Sequence, residues 1–92
     1  ENYHATKCIL SVDGFSATAG LSLYYSNEVS VARKMIACSD VLIVAADGTK
    51  LGKNTFAKIA DVQNVDVLIT NRQNEREEIA HIQEMGIRVL EV

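Results

Sequence analysis

The stretch 41-VLIVAADGTKLGK-53 decides how the rest of the chain is read, because six uncharged residues end abruptly in a charged, glycine-punctuated turn. Val41, Leu42, Ile43, Val44, Ala45 and Ala46 predict a strand buried on both faces, the kind found in parallel sheets covered by helices. Asp47, Gly48, Thr49 and Lys50 follow at its carboxyl end. Ligands of open α/β sheets bind at such ends, where the chain leaves the sheet and loops from neighbouring strands form a crevice. Asp-Gly is also an ordinary turn signal and a lysine an ordinary solvated charge. The segments on either side have to decide between the two readings.

Upstream, 7-KCILSV-12 is a second short apolar run, and it closes on Asp13-Gly14, the same Asp-Gly chemistry. If the two strands are parallel neighbours, Asp13 and Asp47 emerge on one rim of the sheet, since parallel strands present their carboxyl ends together. Residues 15–26, FSATAGLSLYYS, show no clear period and predict a long connection containing Gly20, Tyr24 and Tyr25. A connection of that length is either a binding loop or lid, or a plain surface loop whose tyrosines pack on a helix. Asn27 is placed to cap a helix over residues 28–39, with Glu28 at the positive end of its dipole and Val31, Ala32, Met35, Ile36 and Cys38 on its apolar side. Strand, helix and strand in that order make a right-handed βαβ unit.

Downstream, residues 52–60 predict a short helix with Phe56, Ile59 and Ala60 inward, and 65-VDVLIT-70 a third strand. Asn74 and Glu77 suggest a capping box before a helix running to about Met85, with Ile79, Ile82 and Met85 as its core stripe. Gly86 ends that helix and 87-IRVLEV-92 is a fourth strand. Residues 1–6 are polar and expected to fray.

Composition narrows the class of protein. Ninety-two residues make one domain with a modest core, and 48% hydrophobic with 23% charged residues is globular rather than disordered. The net charge is −3 and no segment gathers lysine and arginine, so these residues carry no nucleic-acid footprint of their own. No run approaches the roughly 20 apolar residues of a membrane-spanning helix, and no secretory leader is visible. A cytoplasmic protein with no membrane partner is expected. Cys8 and Cys38 read as buried free thiols, in a spacing that fits no ligand motif. The chain has no proline and no initiator methionine, which suggests a fragment of a longer protein.

The polar residues with chemical potential sit at strand ends and helix starts: Asp13, Gly14, Gly20, Glu28, Asp47, Thr49, Lys50 and Lys53. Carboxylates there pair with sugar hydroxyls, while Lys50, Thr49 and the free amides of a helix opening at Gly52 suit a phosphate. No Gly-x-Gly-x-x-Gly or Walker sequence is present, and no Ser-His-Asp or Cys-His set can be assembled. The residues therefore predict neither a catalytic set, nor a metal site, nor a cofactor. His81, beside the stripe of the last helix, reads as a helix-surface residue.

In combination, SVDGF, a Gly-Leu-Ser loop, a helix ending in RKMI, VLIVAADGTKLGK and VDVLIT resemble the C-terminal effector-sensing domain of the DeoR family of bacterial sugar-metabolism repressors. The match runs over about residues 7–92 and places Asp13, Gly14, Asp47, Thr49, Lys50 and Gly52 on the family's motif positions. The resemblance implies a three-layer α/β/α fold with a mainly parallel sheet, similar in part to ribose-5-phosphate isomerase, glucosamine-6-phosphate deaminase and CoA-transferases. It also implies a phosphorylated-sugar effector, and DNA contact only through a winged helix-turn-helix domain that this chain lacks; the strands missing on that reading leave an apolar sheet edge, and since exposed edges pair, a homo-oligomer or a poorly soluble fragment is expected. On that reading residues 1–92 are the second half of the sensor, and a pocket shared by both halves is incomplete. Ala32 stands where the family often has a basic residue, and Leu51 where Phe is usual. An isomerase or deaminase-like enzyme is the alternative, but its catalytic glutamate aligns near Ala32, and alanine cannot take a proton. A receiver-like phosphoryl-transfer module is a third class, disfavoured because Asp13 has no acidic cluster beside it.

Overall fold

The computed structural model describes residues 5–71 and 76–92. In chain order the elements are β1 (Ala5–Ser11), β2 (Gly14–Ser16), β3 (Gly20–Leu23), α1 (Val29–Ala37), β4 (Ser39–Ala45), β5 (Ala57–Ala60), β6 (Val67–Thr70), α2 (Arg76–Glu84) and β7 (Arg88–Glu91). The predicted fraying of residues 1–4 and the Asn74 cap fall outside the described residues, and Ala5 and Thr6 already belong to β1.

The apolar runs at β1, β4, β6 and β7 form one parallel sheet in that order. Its register places Leu10 opposite Val44, Val44 opposite Leu68, and Leu68 opposite Val89, so a single apolar row crosses all the strands. Ala32 of α1 and Ile79 and Ile82 of α2 belong to the same buried cluster as Leu10, Val44 and Leu68. Both helices thus pack on one face. Right-handed crossovers that step the same way across a sheet leave their helices on the same side. The result is the expected α/β fold with a mainly parallel sheet.

β4 is not buried on both faces, as its composition predicts. Leu42, Val44 and Ala46 are buried, whereas Val41, Ile43 and Ala45 are half-buried. The same open face presents Ile9 at 66% exposure and Leu90 at 39%. Strand alternation sorts these side chains by face, and among the described residues no helix covers the second one.

Two further expectations are corrected. The presumed loop 15–26 contains β2 and β3, and the presumed helix 52–60 ends in β5; the three form a small antiparallel sheet in the order β2-β3-β5. Every residue of β2 and β3 is buried, so no alternation marks them in the sequence. Phe56, expected inward on a helix, is 80% exposed, while Ile59 is buried as a strand residue against β3. Helical spacing of Phe56, Ile59 and Ala60 was compatible with either structure, and pairing with β3, far off in sequence, settled it. Arg33 of α1 locks this sheet to the helix layer, its Nε and Nη2 donating to the carbonyls of Ile59 and Lys58 at 3.3 and 3.0 Å.

The cap of α1 also differs. A 3-10 turn over Ser26–Glu28 leads in, Glu28 occupies the cap position, and no side chain caps the helix. Cys8 is buried as expected, but Cys38, at the helix end, is exposed. Gly86 closes α2 at a φ of 89°, the left-handed conformation its position demands.

Candidate functional site

β1 and β4 are adjacent and parallel, so their two Asp-Gly corners open on the same rim. A crevice of about 460 Å³ lies there, and Asp13, Asp47, Lys50, Thr70 and Asn71 are among its lining residues.

The corner after β4 is built by Asp47. Its Oδ1 accepts from the Thr49 amide at 2.9 Å and from the Thr49 hydroxyl, and its carbonyl accepts from the Lys50 amide at 2.9 Å. This Asx-type closure winds Gly48–Lys50 into a 3-10 turn. The Thr49 hydroxyl bond, then the Thr49 amide bond, lowers the Asp47 carboxyl below its ordinary value, and Lys50 adds a smaller attraction in the same direction. A depressed carboxyl contributes stability above its unfolded-state value near 4 and loses it as pH falls through the folded value. The turn is therefore held by a carboxylate across the neutral range. Asn71, just past β6, accepts from the Gly48 amide at 2.7 Å and ties this corner to the next strand end.

The corner after β1 uses its aspartate similarly. The Asp13 amide donates to the Ser22 carbonyl at 3.0 Å, and Asp13 Oδ2 accepts from the Tyr24 amide at 2.9 Å. Gly14 is required by space: a Cβ there would lie 2.5 Å from Ser22 Oγ and 2.6 Å from the Lys53 carbonyl oxygen. Across the gap, Lys50 Nζ stands 5.6 Å from the centre of the Tyr24 ring, a cation–π distance. The crevice thus has a cationic donor that also stands over the Tyr24 ring, flanked by two carboxylates that each hold a backbone amide.

Of the predicted site residues, Asp13, Asp47 and Lys50 converge on the crevice, with Gly14 packed under its first corner and Thr49 spent on closing its second. Gly52 opens no helix. It adopts a φ of 78° and donates its amide to the Phe15 carbonyl at 2.7 Å, so the expected phosphate-holding helix start at this position is absent. Gly20 and Glu28 line other hollows, beside Asp61 and beside Leu23 respectively, and Gly52 and Lys53 do not line the crevice. Thr70 and Asn71 were not among the predicted residues. The rule that exposed Asp13 and Asp47 applied equally to the end of the third parallel strand, where both stand. Among the described residues, no three His, Cys, Asp or Glu side chains group as a metal site. No described helix is long and apolar enough to cross a membrane.

Polar residues gathered at the carboxyl ends of a parallel sheet are the arrangement through which open α/β domains take their ligands. The chain belongs to the family described as the DeoR C terminal sensor domain, which matches residues 1–72. It is similar to the HTH-type transcriptional regulator GolR of Listeria innocua, 30% identical over 97% of this chain and 35% of the relative. It is also similar to the HTH-type transcriptional repressor GlcR of Bacillus subtilis, 35% identical over 77% of this chain and 27% of that protein. A further B. subtilis relative, the uncharacterized HTH-type transcriptional regulator YulB, is 32% identical over the whole chain and 36% of its own length. The chain spans about a third of the curated relatives it matches. Each of these relatives is named as a regulator or repressor of transcription. Ala32, where the isomerase-like alternative places its glutamate, is buried in α1 at 4% exposure.

Proposed function

We propose that this chain is the effector-binding part of a bacterial regulator of sugar metabolism, and that the crevice between the strand ends holds a phosphorylated sugar. The convergence of Asp13, Asp47 and Lys50 at one rim carries this reading. Lys50 supplies the donor for a phosphate or other anionic group, while carboxylate oxygens and the Asn71 amide suit hydroxyls. Regulation follows if the effector binds one arrangement of the sensor more tightly than another, so that DNA-binding domains elsewhere in the protein gain or lose affinity. Thermal unfolding of the full-length protein with glucose 6-phosphate, fructose 1-phosphate and ribose 5-phosphate tests the reading. A sugar phosphate at 100 times its dissociation constant stabilises by about 2.7 kcal/mol. At least one of the three is expected to raise the transition while the unphosphorylated sugars do not; equal shifts from phosphorylated and unphosphorylated sugars would remove the anion-binding role.

The same proposal treats residues 1–92 as part of a larger sensor domain that assembles as a homo-oligomer. One ammonium against two carboxylates leaves a phosphate dianion under-matched in charge, which supports a second contribution to the site. The half-exposed sheet face carrying Ile9, Ile43 and Leu90 supports a covering layer from the flanking chain. Ile9→Lys is then expected to destabilise the full-length protein by about 2 kcal/mol or more, because it buries an unpaired charge. A denaturant midpoint equal to the parent's would show Ile9 facing water there too.

A further inference from the structure

The most buried polar residue lining the crevice is one that neither corner uses. Thr70 ends β6, lines the crevice and is 2% exposed. Its hydroxyl has no hydrogen-bond partner among the described residues. Its backbone is satisfied on the outer side, where the Thr70 carbonyl accepts from the Val92 amide at 2.9 Å. Native interiors leave few polar atoms unmatched, and each one calls for a specific partner, because a buried hydroxyl without one has lost its water for nothing. Asn71 follows it on the same rim, with Oδ1 committed to the Gly48 amide, so its NH₂ group is left as a donor.

We infer that Thr70 is an effector-contacting residue whose hydroxyl, shut off from solvent at the crevice end of β6 in the unliganded form, turns about χ1 into the crevice and completes its hydrogen bonding with a hydroxyl of the bound sugar. The inference rests on the reading of the crevice as an anionic-sugar site and adds the group that recognises the carbohydrate rather than the charge. Lys50 answers for the anion and Thr70 for the polyol. A hydroxyl both donates and accepts, which is what a sugar hydroxyl presents in return. An anion without hydroxyls would leave Thr70 as it is.

Thr70→Val replaces the hydroxyl by a methyl of nearly the same shape. The unliganded full-length protein is expected to unfold at the same temperature as the parent or higher, because an unmatched buried group is gone. Affinity for whichever of glucose 6-phosphate, fructose 1-phosphate and ribose 5-phosphate binds the parent is expected to fall about three- to tenfold, one neutral hydrogen bond's worth. Thr70→Ser, which keeps the hydroxyl, is expected to keep the affinity, and inorganic phosphate binding is expected to be unchanged in both. Lys50→Ala is the control that weakens sugar phosphate and inorganic phosphate together.

The outcomes separate cleanly. A Thr70→Val protein that unfolds several degrees lower has lost an internal hydrogen bond, and the inference is overturned. So it is if Thr70→Val and parent bind the sugar phosphates equally while Lys50→Ala does not, which leaves the crevice reading standing. If the parent binds none of the three, or Lys50→Ala binds them as the parent does, the crevice reading itself has failed and the role of Thr70 falls with it.

Discussion

Phe15→Ala should cost about 3–5 kcal/mol of unfolding free energy, the usual range for deleting a fully buried aromatic side chain. Phe15 is 0% exposed and stands in β2, just past the Asp13-Gly14 corner. Its carbonyl accepts the Gly52 amide at 2.7 Å, and it bridges in parallel to Leu51, itself buried at 4% exposure. The segment after Lys50 is therefore pinned to the segment after Asp13 through this one residue. Removing the ring leaves a cavity where the small sheet meets the main core, and that core is modest in a chain of 92 residues. Because whole domains are stable by only about 5–15 kcal/mol, a loss of this size moves a large share of the protein toward the unfolded state. Chemical denaturation of the full-length protein measures it. A loss below about 1 kcal/mol would mean that the antiparallel sheet is not a structural part of the common core.

Lys50→Ala is the second large effect, and it falls on binding rather than folding. A hydrogen bond to a charged group contributes about 1.5–3 kcal/mol, so affinity for a sugar phosphate should drop about 10- to 150-fold. Stability should change little: the half-buried Lys50 side chain loses its stacking on Tyr24, worth about 0.5–1 kcal/mol at an exposed site. Titration calorimetry of the full-length variant gives both the constant and the sign of the enthalpy. The Asp47 turn should keep its form throughout, since its bonds are made by the carbonyl and carboxylate of Asp47 to backbone and Thr49 atoms, not by the Lys50 ammonium. With its carboxyl depressed, Asp47 stays ionised between pH 5 and 8 and adds no pH dependence to binding there. Undiminished binding by Lys50→Ala would show that the anion sits elsewhere.

The parts of the fold that could be read from residues alone are those with local signals. Four apolar runs, each closed by a turn residue or a strand end, became the parallel sheet. Gly86 ended α2 where a left-handed residue was needed, and the family resemblance carried on those runs agrees with the match over residues 1–72. The failures also share a cause. β2, β3 and β5 have three or four residues each, too short for a period to declare itself, and Ser16 and Ser22 are buried in β2 and β3 although serine rarely is. Their hydrogen-bond partners are distant in sequence, so nothing local announces a strand. The misplacement of Gly52 at a helix start followed directly from missing β5.

Sequence by itself determined that this chain makes a parallel sheet and that two Asp-Gly corners with a lysine leave it on one side, because parallel strands must end together. Only the tertiary structure decided which of the nine predicted ligand-site residues share a space, setting Asp13, Asp47 and Lys50 together, sending Gly20 and Glu28 to other hollows, and adding Thr70 and Asn71. The reason is one of distance along the chain. Strand ends are local features, whereas the walls of a crevice are set by which strand lies beside which, a non-local pairing that no single segment encodes.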